Sequence, residues 1–171
     1  GETLTLNVSA LTAMSPEWLE SLEIALRPNR ELARRLIVEF TETVAIKDIE
    51  ASMRFVAALK DLGCRVAIDD FGAGYTSFRN LKLLQVDMVK IDGSFIRNLV
   101  SSSEDEVFVR TLLELARNFN LESVAEMVED EGTAEKLREL GVTYLQGFHL
   151  GMPVRSPGGE SVPPLIRERQ S

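Results

Sequence analysis

Val66-Ala67-Ile68-Asp69-Asp70-Phe71-Gly72-Ala73-Gly74-Tyr75 is the stretch that orders the rest of the chain. A short apolar run ends on two adjacent carboxylates and passes into a glycine-rich loop, which is the pattern of a buried strand followed by a tight turn. Carboxylates at the end of an apolar strand are costly unless they are paired or bind a cation. Moving outward, the same arrangement recurs. Downstream come Val86-Asp87-Met88-Val89-Lys90-Ile91, Ser123-Val124-Ala125-Glu126 and Thr143-Tyr144-Leu145-Gln146; upstream come Leu36-Ile37-Val38-Glu39-Phe40 and Leu4-Thr5-Leu6-Asn7-Val8. Each run carries a polar residue at or near its C-terminal end: Asn7, Glu39, Asp69 with Asp70, Lys90, Glu126 and Gln146.

Between these runs lie helical patterns. Ser15 reads as an N-cap with Pro16 at the first helical position, and Trp18, Leu22, Ala25 and Leu26 follow at helical spacing. A helix with Ile49, Met53 and Val56 on one face stops at Gly63, and one with Ala134, Leu137 and Leu140 stops at Gly141; both glycines suit left-handed C-caps. Ser103 and Glu106 read as a capping box opening a helix with the stripe Phe108, Leu112, Leu115 and Phe119. Alternation of strand and helix implies parallel strands with crossover helices. The closed solution is an eight-stranded α/β barrel, here short by about two strand–helix units. The other solution, an open doubly wound sheet, lacks its dinucleotide fingerprint after the first strand. After Pro153 the sequence turns Pro/Gly/Ser-rich and charged, so residues 1–155 read as the incomplete barrel and 156–171 as a tail forming a short helix or a frayed end.

The 171 residues carry a net charge of −8. That balance argues against a nucleic-acid polymer as partner, because such grooves need clustered cations. It leaves room for a small anion recruited through a metal. The lone Cys64 excludes an internal disulfide, fits a reducing compartment and, within its apolar run, reads as a buried thiol. No membrane-spanning segment or signal-peptide pattern is present, which gives a cytoplasmic expectation, including the cytoplasmic part of a larger membrane-anchored protein.

Strand-end polar residues from several strands are how barrel enzymes build active sites. Asn7, Glu39, Asp69 and Asp70 offer only oxygen donors, which suit Mg²⁺, Mn²⁺ or Ca²⁺. Adjacent aspartates allow two ions about 3.5–4 Å apart to clamp the attacking and leaving oxygens of a phosphodiester. Lys90 reads either as a group polarising a nucleophilic water or as a salt-bridge partner of a carboxylate; the two are compatible. His149, the one histidine, reads as a structural or rim residue.

In order along the chain, Asn7-Val8-Ser9, Val38-Glu39-Phe40-Thr41-Glu42, the stretch from Ala67 to Tyr75, Val89-Lys90-Ile91-Asp92, Ala125-Glu126-Met127-Val128-Glu129 and Gln146-Gly147-Phe148 closely resemble the EAL domain family of cyclic-di-GMP phosphodiesterases. The resemblance runs from about Leu4 to Pro153 and implies a modified TIM-like barrel in which one strand opposes the others. It implies hydrolysis of cyclic di-GMP to linear pGpG with Mg²⁺ or Mn²⁺, with Ca²⁺ inhibitory. It makes Asn7, Glu39, Asp69 and Asp70 metal ligands and Lys90, Glu126 and Gln146 catalytic. Glu42 would hold the loop formed by Phe71, Gly72 and Gly74, with Glu129 a secondary site residue. A homodimer and an upstream sensor or GGDEF-type domain are the implied partners besides c-di-GMP.

Three departures stand out. The family's Glu-Ala-Leu segment, which supplies a metal ligand, is absent; Met127 stands where the family usually has Gly; Gly93 stands where a larger basic residue is frequent. The first leads to the expectation that this chain alone is weak or inactive. Together with Met127 it motivates the alternative of a catalytically inactive receptor or scaffold.

Overall fold

Buried apolar strands separated by capped helices organise the chain into two compact units, Gly1–Met88 and Val89–Ser171. The computed structural model describes residues 3–13, 15–74, 78–151 and 166–167. Tyr75 of the glycine-rich loop and most of the expected tail lie outside them.

The first unit begins with β1 (Leu4–Asn7), α1 (Ala10–Ala13), α2 (Pro16–Leu26) and α3 (Arg30–Arg35). It continues through β2 (Leu36–Thr41), α4 (Glu42–Lys47), α5 (Ile49–Leu62), β3 (Arg65–Phe71) and α6 (Phe78–Leu84). β1, β2 and β3 are adjacent and parallel, with Leu4 to Asn7 opposite Leu36 to Glu39 and Ile37 to Thr41 opposite Arg65 to Asp69. Local chemistry sets the helix ends. Ser15 accepts from the Trp18 amide, Asn29 from Leu32 and Asp48 from Ala51, so α2, α3 and α5 each start with an acceptor for an orphan N–H. Gly63 closes α5 with φ +94°, a conformation open to glycine and costly for other residues.

The face of α5 differs from the sequence expectation. Ser52, Phe55, Val56 and Leu59 are buried, whereas Met53 is exposed. Phe55 sets the rotation: its ring lies edge-on to Phe40 of β2 at 6.1 Å and beside Trp18 of α2 at 6.0 Å. At the far side of β3, the Asp87 amide donates to the Val66 carbonyl and the Asp87 carboxylate accepts from the Val66 amide, both at 2.9 Å. Lys60 bonds the same carboxylate, so the approach to the next strand runs beside β3.

That strand, β4 (Met88–Ile91), spans the division between the units. The second unit then holds α7 (Gly93–Ile96), α8 (Ser103–Asn118), β5 (Glu122–Ala125), α9 (Glu131–Leu140), β6 (Tyr144–Leu145) and β7 (Ile166–Arg167). Strand order here again follows the chain; β5 and β6 are parallel, and β7 pairs antiparallel with β6. β7 falls in the segment read as a tail, where two residues are too few to carry a period-2 signal.

The expected capping box is corrected by one residue. Ser102, not Ser103, caps α8 by accepting from the Asp105 amide at 3.1 Å. The buried face of α8 is Val109, Leu112, Leu113 and Ala116, while Phe108 is exposed and stacks on Phe95 of α7 at 4.3 Å. Gly141 closes α9 at φ +79°, and the α9 face is Thr133, Ala134, Leu137 and Leu140.

Candidate active site

In the first unit, pairing register decides which side chains share a face. Side chains alternate along a strand, and residues opposite each other on parallel strands point the same way. Asn7 lies opposite Glu39; Thr41, two residues beyond Glu39, lies opposite Asp69. Asn7, Glu39 and Asp69 therefore lie on one face, near the C-terminal ends of three neighbouring strands. Glu39 is 2% exposed and sits between fully buried Val38 and Phe40. A carboxylate at that depth is tolerated when cations or donors compensate its charge. Three oxygen-donor side chains on one face fit a hard divalent ion, and sulfur or imidazole donors have no part in the set. Asp70 is exposed and has φ +54°, a left-handed turn that ends the alternation of β3; its amide donates to the Asp69 carboxylate at 3.1 Å.

Glu42 opens α4 and is 2% exposed. One of its oxygens, Oε2, accepts from the Gly72 amide at 3.0 Å and the Gly74 amide at 3.2 Å. Phe71 is buried and anchors the start of this loop. Gly72 has φ +101°, a conformation that favours glycine, and a Cβ on Gly74 would come within 2.8 Å of the Glu42 carboxyl and push it aside. The loop is tied down by a side chain 30 residues earlier in the sequence.

In the second unit, Lys90 Nζ lies 2.7 Å from Glu126 Oε1. Lys90 is 3% exposed within the fully buried β4, and Glu126 follows directly on β5. Desolvating an ammonium is costly, and the neighbouring carboxylate offsets it. Gln146 follows β6. Its amide donates to the Ala125 carbonyl at 2.9 Å and its carbonyl accepts from Val128 at 3.1 Å; His149 N–H closes on the Val128 carbonyl at 3.1 Å. Gly147 packs so tightly on the Val128 backbone that a Cβ there would overlap Val128 N, C and O. Glu129 is exposed.

Between these clamped residues Met127 adopts φ +52°, which costs a non-glycine residue about 1–2 kcal/mol. Its side chain covers Gly93, and Arg97 Nη2 reaches its sulfur at 3.5 Å. Sequence reading missed Arg97, because a four-residue helix such as α7 has no periodic pattern. His149 pairs with Glu131 at 2.6 Å. Hydrogen bonds from Arg138 and then His149 hold the Glu131 carboxyl below the usual range, and hydrogen bonds from the Thr133 amide and hydroxyl do the same for Asp130.

A family model described as EAL domain matches residues 1–153. The chain is 45% identical over 121 residues to the cyclic di-GMP phosphodiesterase PdeF of Escherichia coli K12, covering 71% of this chain and 16% of that protein. It is 39% identical over 151 residues to the bifunctional diguanylate cyclase/cyclic di-GMP phosphodiesterase MucR of Pseudomonas aeruginosa, covering 88% of this chain and 22% of that protein. Among solved structures, the PaMucR phosphodiesterase in complex with c-di-GMP superimposes with a TM-score of 0.85 at 38% identity, over 90% of this chain and 62% of that one. The FimX EAL domain of Pseudomonas aeruginosa, bound to c-di-GMP, gives 0.84 at 28% identity, over 90% and 63%. The chain thus spans under two thirds of the solved domains and about a sixth to a fifth of the full-length relatives. Its α/β fold is that of the EAL-type barrel in incomplete form. Ordered strand-end motifs, matched family residues and superimposed structure agree, and the chain belongs to the EAL domain family.

Proposed function

We propose that the protein containing this chain hydrolyses cyclic di-GMP to linear pGpG in a metal-dependent reaction. The observation that carries this reading is the face shared by Asn7, Glu39 and Asp69, together with relatives named as cyclic di-GMP phosphodiesterases. Asn7, Glu39, Asp69 and Asp70 would hold Mg²⁺ or Mn²⁺, and Ca²⁺ would occupy the same oxygens without supporting turnover. When bound, the ion lowers the pKa of a coordinated water and stabilises charge on the phosphoryl oxygens.

The remaining roles belong to the chain's own side chains. Lys90, paired with Glu126 at 2.7 Å, orients the attacking water and offsets developing negative charge. Gln146 hydrogen-bonds the water or a ligand oxygen. Hydrolysis exchanges one P–O ester bond for a P–OH, leaving a 5′-phosphate on one nucleoside and a free 3′-hydroxyl on the other. Glu42 holds the loop of Phe71, Gly72 and Gly74, and Glu129 lies at the periphery of the site. In the same reading, the protein acts in the bacterial cytoplasm, where a cyclic dinucleotide messenger would be met, as a homodimer with an upstream sensor or GGDEF-type domain.

The test is turnover of cyclic di-GMP by the full-length protein with Mg²⁺ or Mn²⁺. Hydrolysis to pGpG is expected; its absence from folded protein would overturn the reading. The receptor alternative rests on Met127, 49% exposed beside Glu126. Binding of cyclic di-GMP in calorimetry with no turnover in either metal would favour it.

A further inference from the structure

We infer that Met127, seated on Gly93, is a positioning residue that sets the Glu126 carboxylate against Lys90. Glu126 and Met127 are adjacent on one segment; Lys90 and Gly93 are three residues apart on another. The ion pair at 2.7 Å and the Met127–Gly93 contact therefore join the same two segments at neighbouring points.

The backbone on both sides of Met127 is held. Glu126 is fixed through Lys90, and Val128 by Gln146, His149 and the close approach of Gly147. Met127 absorbs the change of direction between them by taking φ +52°, an uncommon conformation for a residue with a side chain.

The contact also explains a glycine that the backbone does not require. Gly93 has no left-handed φ. A Cβ placed on it would come within 2.5 Å of Met127 Cγ and Sδ and 2.8 Å of Met127 Cβ. Because Cβ cannot swing away like the thioether end, Gly93 is demanded by the seat of Met127. Arg97 Nη2 lies 3.5 Å from the sulfur and adds a second contact to that side chain. A packing role explains little here, since Met127 is 49% exposed and buries only part of its surface.

The activity arm of the test rests on the phosphodiesterase reading; a second arm does not. In the full-length protein, Met127→Gly removes the side chain and relieves the backbone. The expected result is a drop in kcat of about tenfold, the scale of a small misplacement of a catalytic group, with KM within about twofold and an unchanged or raised thermal midpoint. Gly93→Ala pushes on Met127 from the opposite side and lowers kcat likewise. The double variant, in which the new methyl occupies the vacated seat, recovers at least half of the loss on a logarithmic scale. An unchanged kcat in both single variants, or losses that only follow the fraction unfolded, overturns the inference.

The second arm needs no turnover. Lys90→Met should lower the thermal midpoint by at least twice as much in the wild type as in the Met127→Gly background, because the pair it breaks is already displaced there. Equal shifts in the two backgrounds overturn the inference even if the wild type hydrolyses the dinucleotide. A wild type without turnover but with coupled midpoints would instead sink the activity reading and leave the positioning role standing.

Discussion

Lys90 and Glu126 carry unequal shares of desolvation, with side chains 4% and 17% exposed. Removing one partner of a fully buried pair costs about 3–5 kcal/mol, since a charge is left behind without compensation. Lys90→Met removes a partner of the more solvated group, so its cost should fall toward the lower end; Glu126→Gln removes a partner of the more buried ammonium and should cost more. Chemical denaturation of the two variants tests the order. Gly147→Ala belongs to a different class of effect. Its Cβ would meet backbone atoms of Val128, which cannot rotate aside, so a midpoint lowered by several degrees is expected with no change of charge. Cys64 is 4% exposed and burial pushes its thiol up, so thiol reagents at neutral pH should label it slowly in the native state and quickly after unfolding.

At the level of elements, sequence reading succeeded where one residue type has one physical job. Pro16 behind Ser15 starts α2, and Gly63 and Gly141 end α5 and α9, because a fixed φ, a short acceptor and a missing Cβ act locally. The strand-end placement of Glu39 and Lys90 was legible for the same reason: they are charged residues inside otherwise apolar runs. What failed depended on neighbours distant in sequence. Phe108 faces out because Phe95 offers it a ring, and Met53 loses the buried face of α5 to Phe55. α3, α4 and α7 are at most six residues long and too short for a period to show. The shift from Ser103 to Ser102 shows how closely two adjacent serines compete for one cap. Ser102→Ala should accordingly cost α8 about 1 kcal/mol, and Ser103→Ala much less.

The second unit should also be acid-sensitive. The carboxyls of Asp130, Glu131 and Glu106 are all held below their ordinary values, the last by hydrogen bonds from Lys136 and then Arg110. A folded-state pKa below the unfolded one contributes stability that is complete above the unfolded value and is lost as pH falls through the folded value. Thermal midpoints should hold steady from neutral pH down to about pH 5 and then decline. Asp130→Ala should flatten that decline, because α9 loses the acceptor at its start.

At the scale of the whole molecule, the sheet carries its strands in chain order from β1 to β7. Glu42 gives a means of watching the molecule without any substrate. It holds the Gly72 and Gly74 amides in hydrogen bonds to a side chain rather than to a strand or helix. Those two protons can exchange with deuterium when the glycine-rich loop alone lets go, whereas the Val66 amide, bonded to Asp87, reports on the start of β3. The ratio of their exchange rates measures how often the loop opens while the sheet stays closed. Glu42→Gln should speed the two glycine amides and leave Val66 unchanged. A ligand that draws the loop in would slow them, so binding becomes visible as a change in proton lifetime at two known atoms.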